Sequence, residues 1–203
     1  YYREKRELIL KKANSLMDIY TEEKKEEFRK FILNEKIKRY DRTRIYSSLP
    51  LFTINDELLL KILKRNKINK NDINRILEYK KEEENNTKQV LKENRINDII
   101  FNITKNEFNN EDICLSLENI FYNKKIKYNY NEYLNHLNST KKYKNKNYHV
   151  NISDYKTFKN ISINILENKY VILSKNCNPT IHFVIRHPKL IDAIKNFNPI
   201  VKE

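Results

Sequence analysis

The chain contains no glycine in 203 residues. Phosphate-binding loops, dinucleotide-binding turns and the nucleophile elbow of hydrolases need glycine, because their backbone adopts positive φ or approaches a ligand closely. None of these sites can exist in this chain, and no HExxH or paired-carboxylate pattern stands out. We therefore expect that the chain is not an enzyme by itself and holds no cofactor. Asparagine is expected at left-handed positions in place of glycine.

The charge of the chain is the next informative feature. Forty-one Lys and Arg against twenty-seven Asp and Glu give a formal net charge of +14. Such an excess attracts polyanions, of which nucleic acid is the commonest large one. Codon bias in an AT-rich genome is an alternative source, because it inflates Lys, Asn, Ile and Tyr together, and the lysines are spread along the chain.

The sequence predicts neither a membrane span nor a metal site. No apolar run approaches the roughly 20 residues that cross a bilayer. Cys114 and Cys177 lie far apart, without metal-ligand spacing, and a reduced compartment is expected. His182 and His187 are expected at a strand and a helix cap, because no third ligand accompanies them. Since the chain starts at Tyr1, we expect it to be a piece of a longer protein.

The first half predicts helices. Apolar residues at helical spacing predict helix over residues 1–40. Pro50 breaks the pattern, and Thr53 or Asn55 then caps a helix through "DELLLKILKRN".

Asn71 is expected to cap the next helix, "DINRILEYKKEEE". A polar break at 82–87 follows, and the apolar residues from Val90 to Ile103 predict one more helix. Together these segments predict a helical, lid-like region over residues 1–106.

The second half predicts three helices, a hairpin and a last helix. "NNEDICLSLENIFYNKK", "YNEYLNHLNS" and "DYKTFKNISINILENK", the last capped by Ser153, read as the helices, with a charged loop at 140–151. "YVIL" and "IHFVI" read as strands around the turn "SKNCNPT", and Pro188 begins the closing helix. This is the order of a winged-helix domain. The predicted fold is mainly α: a helical bundle, then a winged helix at 107–203 with one β-hairpin.

Three segments resemble a known family. "KYNYNEYLNHL" (127–137), "YKTFKNISINILENKYVILSK" (155–175) and "IHFVIRHPKLIDAIKNFNP" (181–199) are similar to the winged-helix end of the origin recognition complex and replication-licensing AAA+ proteins, most closely to the fourth-subunit group. "INRILEYKKEEENNTKQVLKEN" resembles a lid helix of that family more faintly. The chain departs from the family where "NCNP" replaces a glycine in the wing turn.

The resemblance implies a DNA-binding and subunit-assembly module of a replication initiator. It implies duplex DNA and other subunits of a complex as partners, no membrane, and a nuclear location. The expected DNA contacts are the outward residues of the third helix and the wing, whose cations neutralise phosphates and whose amides bond phosphate or adenine. They are Lys156, Lys159, Asn160, Lys169, Lys175, Asn176 and Arg186. The basic and aromatic loop adds possible backbone contacts at Lys141, Lys142, Tyr143, Lys144 and Lys146.

Two other functions fit the same composition. A structural RNA-binding subunit of a ribosome-like assembly would also be basic and rich in tyrosine, and would lack a compact unit over 155–197. A helical protein–protein scaffold is the third possibility, its charge then reflecting genome bias alone.

Overall fold

A computed structural model gives the architecture of the chain. It describes residues 2–21, 24–36, 38–46, 49–110, 126–143, 145–154, 161–175 and 181–196. The helices in these residues are α1 (Tyr2–Leu16), α2 (Lys25–Lys36), α3 (Asp56–Arg65), α4 (Lys70–Val90), α5 (Lys105–Asn110), α6 (Tyr130–Lys142) and α7 (Pro188–Asn196). The strands are β1 (Met17–Tyr20), β2 (Arg42–Tyr46), β3 (Ile96–Phe101), β4 (Tyr148–Ser153), β5 (Ile161–Leu166), β6 (Tyr170–Lys175) and β7 (Ile181–Ile185).

All seven strands form one mixed sheet in the order β1-β7-β6-β5-β2-β3-β4. β2, β3 and β4 are parallel neighbours, whereas β5, β6, β7 and β1 each run antiparallel to their neighbours. The chain is therefore an α/β protein, and the prediction of a mainly α fold with one hairpin is wrong. The hydrogen-bonded pair β3 and β4 joins residues on both sides of the predicted boundary at 106–107, which stays a prediction.

The prediction of a winged helix is wrong at its third helix, the expected recognition helix. Ser153 ends β4, residues 155–160 of the predicted helix lie outside the described residues, and residues 161–166 form β5. In "ISINIL", Ile163 and Ile165 are buried on one face of the sheet, so the apolar period is two and not 3.6. The predicted hairpin strands are confirmed as β6 and β7, but they lie inside the sheet.

Other predicted helices were also strands. The segment from Val90 to Ile103 contains β3, whose residues are buried on both faces because helices cover one side and α7 the other. Residues 17–20 form β1 within the predicted first helix, and residues 148–151 of the expected loop belong to β4. The polar break at 82–87 is continuous α4, whose cap is Asn69 and not Asn71.

Several predictions are confirmed. Asn55 caps α3 by accepting a hydrogen bond from the Glu57 amide at 2.8 Å. "YNEYLNHLNS" lies in α6, and Pro188 begins α7. The helix expected at 109–125 lies outside the described residues beyond Asn110, as do Cys114, Cys177 and the wing turn.

Left-handed backbone positions are held by unexpected residues. Among the described residues Lys67 (φ 56°) and Glu167 (φ 48°) adopt positive φ, not asparagine. Lys67 follows the C-cap of α3 in a Schellman motif, in which the amide of Ile68 bonds Leu63 O at 3.1 Å. A non-glycine residue in this region costs roughly 1–2 kcal/mol, which the capping hydrogen bonds offset.

The sheet packs helices on both faces. On the front face Tyr46, Ile100 and Ile152 meet α3, α4 and α6 in the largest apolar cluster, and Phe28 of α2 covers β5, β6 and β7 beside it. On the back face Ile191 of α7 packs on the middle strands. Within the described residues no helix is both long and apolar enough to cross a membrane.

Candidate nucleic-acid interface

The starts of the parallel strands form one continuous edge of the molecule. Backbone hydrogen bonds link Ile96 N to Asn147 O (2.8 Å), Arg42 N to Arg95 O (2.9 Å) and Glu167 N to Asp41 O (2.9 Å). The segments that precede β2, β3 and β4 therefore lie side by side with the β5–β6 turn. The C-terminal end of α6 leads into the same edge. We call residues 38–42, 92–95, 141–143, 145–147 and 167–169 the amino edge.

The amino edge is strongly basic. Its described residues include nine Lys or Arg and three Asp or Glu. The charge of this edge is mostly positive, which attracts a polyanion. Its residues come from five separate segments of the chain. The lysines are scattered in the sequence, and the sheet gathers part of them.

Several cations of this edge are exposed and available. Lys92, Arg95, Lys141, Lys142 and Lys146 are exposed, and none forms an ion pair with a carboxylate in the part of the chain that the structure describes. These five side chains can accept phosphate partners without breaking an internal contact.

Two other arginines of the edge already have partners. Arg39 Nη1 bonds both carboxylate oxygens of Glu93 at 3.1 and 3.2 Å, and both side chains are more than half exposed. Arg42 donates through Nη2 to the carbonyl oxygens of Glu35 (3.2 Å) and Lys38, which lie at the end of α2. Burial, followed by the charge of Arg44, lowers the pKa of Arg42 to about 10, so it remains a cation at neutral pH.

A buried polar cluster fixes the three parallel strands that carry the edge. Arg44 donates to Asp98 through Nε (2.6 Å) and Nη2 (2.7 Å), across the β2–β3 pair. Tyr46 and Tyr148 donate to the same carboxylate, the latter at 2.6 Å. Burial, followed by Asp98, raises the pKa of both phenols, which therefore stay protonated donors.

The same cluster gives Arg44 a permanent charge. Burial lowers the pKa of Arg44, but Asp98 and its hydrogen bonds raise it well above the usual value. The Asp98 side chain is fully buried. This is an internal ion pair with its hydrogen bonds saturated, and it positions strands and not a ligand.

The position of α6 is fixed at its start and in its middle. Asn129 and Glu132 form a reciprocal capping box at its start, and Glu132 also accepts from Arg65 of α3 at 3.1 and 2.5 Å. In the middle of the helix, the ring of His136 contacts Pro50 O at 3.0 Å, and its Nδ1 contacts the hydroxyl of Tyr128. Burial lowers the pKa of His136 to about 4, so the ring is neutral at pH 7.

A polar groove runs between α3 and α6 next to the amino edge. It encloses about 440 Å³. Lys142 belongs both to this groove and to the edge. The lining residues are Asn55, Glu57, Leu58, Lys61, Asn135, Asn138, Ser139 and Lys142.

The aromatic side chains near the edge mostly pack inward. Tyr143 meets Phe52 and Tyr148 edge-on, at ring-centroid distances of 5.1 and 5.3 Å. Burial raises the pKa of Tyr143. Tyr40 is half-buried, with the Lys169 ammonium 5.9 Å from its ring centroid. Tyr143 therefore packs against the core, and its ring is not presented for stacking on a nucleic-acid base.

The predicted contacts fall into three groups. Lys141, Lys142, Tyr143, Lys146 and Lys169 come together on the amino edge, although the first four were expected on a loop and Lys169 at the end of a helix. Lys175 and Arg186 form the second group: Lys175 lies at the opposite end of the sheet, whereas Arg186 lies at the end that carries the amino edge but is already paired with a carboxylate. The third group, Lys144, Lys156, Lys159, Asn160 and Asn176, lies outside the described residues.

The two residues of the second group have other surroundings. Lys175 ends β6 at the opposite edge of the sheet, because β6 runs parallel to β2. Arg186 follows β7 at the same end of the sheet as the amino edge, because Ile185 pairs with Val171 just after the β5–β6 turn, but its guanidinium is paired with Asp18 of β1.

The sequence reasoning missed Lys92 and Arg95. Both lie in "KENR", between the end of α4 and the start of β3. The prediction of a helix from Val90 to Ile103 rests on its apolar residues and singles out neither cation. The run "INDIIF" that follows them was the available signal, since its isoleucines and phenylalanine favour a strand.

No metal site accompanies the basic edge. Among the described residues, no group of three or more His, Cys, Asp or Glu is arranged to hold a metal ion. No protein-family model, curated protein or solved structure matches this chain.

Proposed function

We propose that this chain binds nucleic acid, with duplex DNA as its ligand, through the phosphate backbone at the amino edge. The observation that carries the proposal is the convergence of five exposed, unpaired cations at one sheet edge, two from the α4–β3 turn and three from the end of α6 and the turn that follows it. Lys and Arg side chains neutralise phosphates and release condensed counterions, which supplies most of the sequence-independent affinity.

The length of the edge suits a run of phosphates. Five neighbouring strands, from β4 through β3, β2 and β5 to β6, separate Lys146 from Lys169. Five strands have four spacings of about 4.8 Å between them, so the edge spans about 19 Å. One DNA strand rises about 3.4 Å per phosphate, so the edge faces about five or six phosphates.

The role in a replication initiator stays a prediction. The winged-helix order that carried the resemblance is not the order of this sheet. The proposal therefore keeps duplex DNA as the ligand on the strength of the amino edge, and partner subunits remain an expectation. RNA, the ligand of the alternative function, is the comparison in the test.

The salt dependence of binding tests the proposal. A fluorescently labelled 20-base-pair duplex is titrated by anisotropy at several salt concentrations with wild type and with Lys92→Gln/Lys141→Gln/Lys146→Gln. The control removes three exposed lysines elsewhere, Lys64→Gln/Lys70→Gln/Lys81→Gln. The edge variant is expected to lower the slope of log K against log salt by about 3, because each phosphate contact contributes about 0.9.

The control separates a site from bulk charge. Both variants carry the same net charge, but the control lysines lie outside the amino edge, so the control is expected to keep the wild-type slope. Equal losses in the two variants would mean that binding follows the overall charge and that the amino edge is not the site. Tighter binding of an RNA duplex of the same sequence would favour the RNA-binding alternative.

A further inference from the structure

The exposed face of α6 carries a stripe of amide side chains. Asn131, Asn135, Asn138 and Lys142 are all exposed and recur at helical spacing, while the opposite face is buried. No hydrogen bond from the described residues engages the side-chain amides of Asn135 and Asn138. Their donors and acceptors are free for a ligand.

The C-terminal half of this stripe continues into the amino edge. Asn135, Asn138 and Lys142 line the groove beside α3, and Lys141 and Lys142 end the helix at the edge. From Asn135 to Lys142 the helix advances about 10 Å, which is within the width of about 12 Å of a B-DNA major groove. When the phosphates of a duplex lie on the amino edge, the major groove next to those phosphates can therefore face α6.

We propose that α6 enters the major groove of duplex DNA and that Asn135 and Asn138 read adenine edges there. An Asn amide pairs with adenine through two bonds: its oxygen accepts from the N6 amino group, and its nitrogen donates to N7. This inference rests on the proposed DNA-binding function and adds base readout to it. Lys141, Lys142 and Lys146 hold the flanking phosphates, which fix the helix in register.

The surroundings of α6 suit this use. The helix is held rigidly by the Arg65–Glu132 pair at one end and by His136 in the middle, so its outer face is preorganised. Lys61 on the far wall of the groove adds a second cation opposite Lys142. An A-form RNA helix has a deep, narrow major groove that side chains cannot read, so the inference is specific to DNA.

A single-atom change in the DNA tests the readout. A 20-base-pair duplex rich in A·T pairs is compared with the same duplex containing 7-deazaadenine, which lacks the N7 acceptor but pairs normally. Wild type is expected to bind the unmodified duplex about tenfold more tightly, because one bond of each bidentate pair is lost. Asn135→Ser/Asn138→Ser is expected to bind both duplexes equally, with the wild-type salt slope.

A matched control uses asparagines at the same spacing on another helix. Asn71 and Asn74 are exposed on α4, so Asn71→Ser/Asn74→Ser is expected to keep the tenfold discrimination. Discrimination that survives in the Asn135/Asn138 variant would place base reading elsewhere and overturn the inference.

The remaining outcomes separate the two proposals. If wild type does not discriminate but the edge variant lowers the salt slope, backbone binding stands and base readout by α6 is overturned. If the chain binds neither duplex, the proposed function fails and the readout fails with it. Tighter binding of an RNA duplex overturns the inference as well.

Discussion

Asp98 is the residue on which the three parallel strands depend. Its fully buried carboxylate accepts from Arg44, Tyr46 and Tyr148, which join β2, β3 and β4. A buried ion pair of this kind adds little net stability over apolar packing, but removing one partner leaves an uncompensated charge. Substitution of Asp98 is therefore expected to destabilise the fold, and the role of the residue is structural.

Asp98→Ala is expected to lower the free energy of unfolding by about 3–5 kcal/mol, because Arg44 is left buried without its counter-charge. Chemical denaturation measures the loss. Glu93→Ala, which breaks the exposed pair with Arg39, is the control and is expected to cost less than about 1 kcal/mol. A loss at Asp98 no greater than at Glu93 would contradict the anchoring role of the cluster.

The residue pattern explains why this sheet was hard to foresee. β2 reads "RTRIY", in which the inward Arg44 makes a strand interior look like a polar surface. β3 carries Asp98 in the same way, and its two buried faces remove the alternation that marks a strand. A charged residue that is paired with a residue of another strand can be recognised as buried only when the partner strand is known.

At the scale of elements, capping and turn chemistry predicted well, and strand pairing did not. α3, α6 and α7 were foreseen because local residues, such as Asn55 and Pro188, determine where they begin. β5 was taken for a helix because Ile161, Ile165 and Leu166 also fit helical spacing. The period-two run Ile161, Ile163, Ile165 was the signal for a strand.

The attachment of α6 to the short 3-10 helix at Leu51–Thr53 depends on a neutral histidine. The folded pKa of His136 is about 4, below the usual unfolded value of about 6.5. Between these values the unfolded state binds more protons, so stability falls as pH falls. Because of His136, the free energy of unfolding is expected to fall by about 2 kcal/mol between pH 7 and pH 5.

Urea denaturation at pH 7 and pH 5 checks this contribution. His136→Gln is expected to flatten the change in unfolding free energy between these pH values. His149→Gln, at an exposed residue of β4, is the control and is expected to leave the change as in wild type. If His136→Gln retains the full wild-type change, the buried histidine is not its source.

At the scale of the whole molecule, the sheet order creates the candidate site. Lys141, Lys142 and Lys146 could be named from the sequence as basic residues near aromatic ones, and Lys169 as an outward residue of the predicted third helix. Their place on the same edge as "KENR" at 92–95 could not, because it depends on β3 lying between β2 and β4. The sequence therefore predicts several cations of the amino edge, and only the topology shows that they are neighbours.

The central claim is that one edge of the sheet, and not the charge as a whole, meets DNA. Lysine methylation with and without duplex DNA, read residue by residue by mass spectrometry, tests it in a single experiment on the unmodified chain. We predict that DNA slows methylation several-fold at Lys92, Lys141 and Lys146 and leaves Lys64, Lys70 and Lys81 unchanged. Equal protection of the two sets, or protection of the second set alone, would contradict the account.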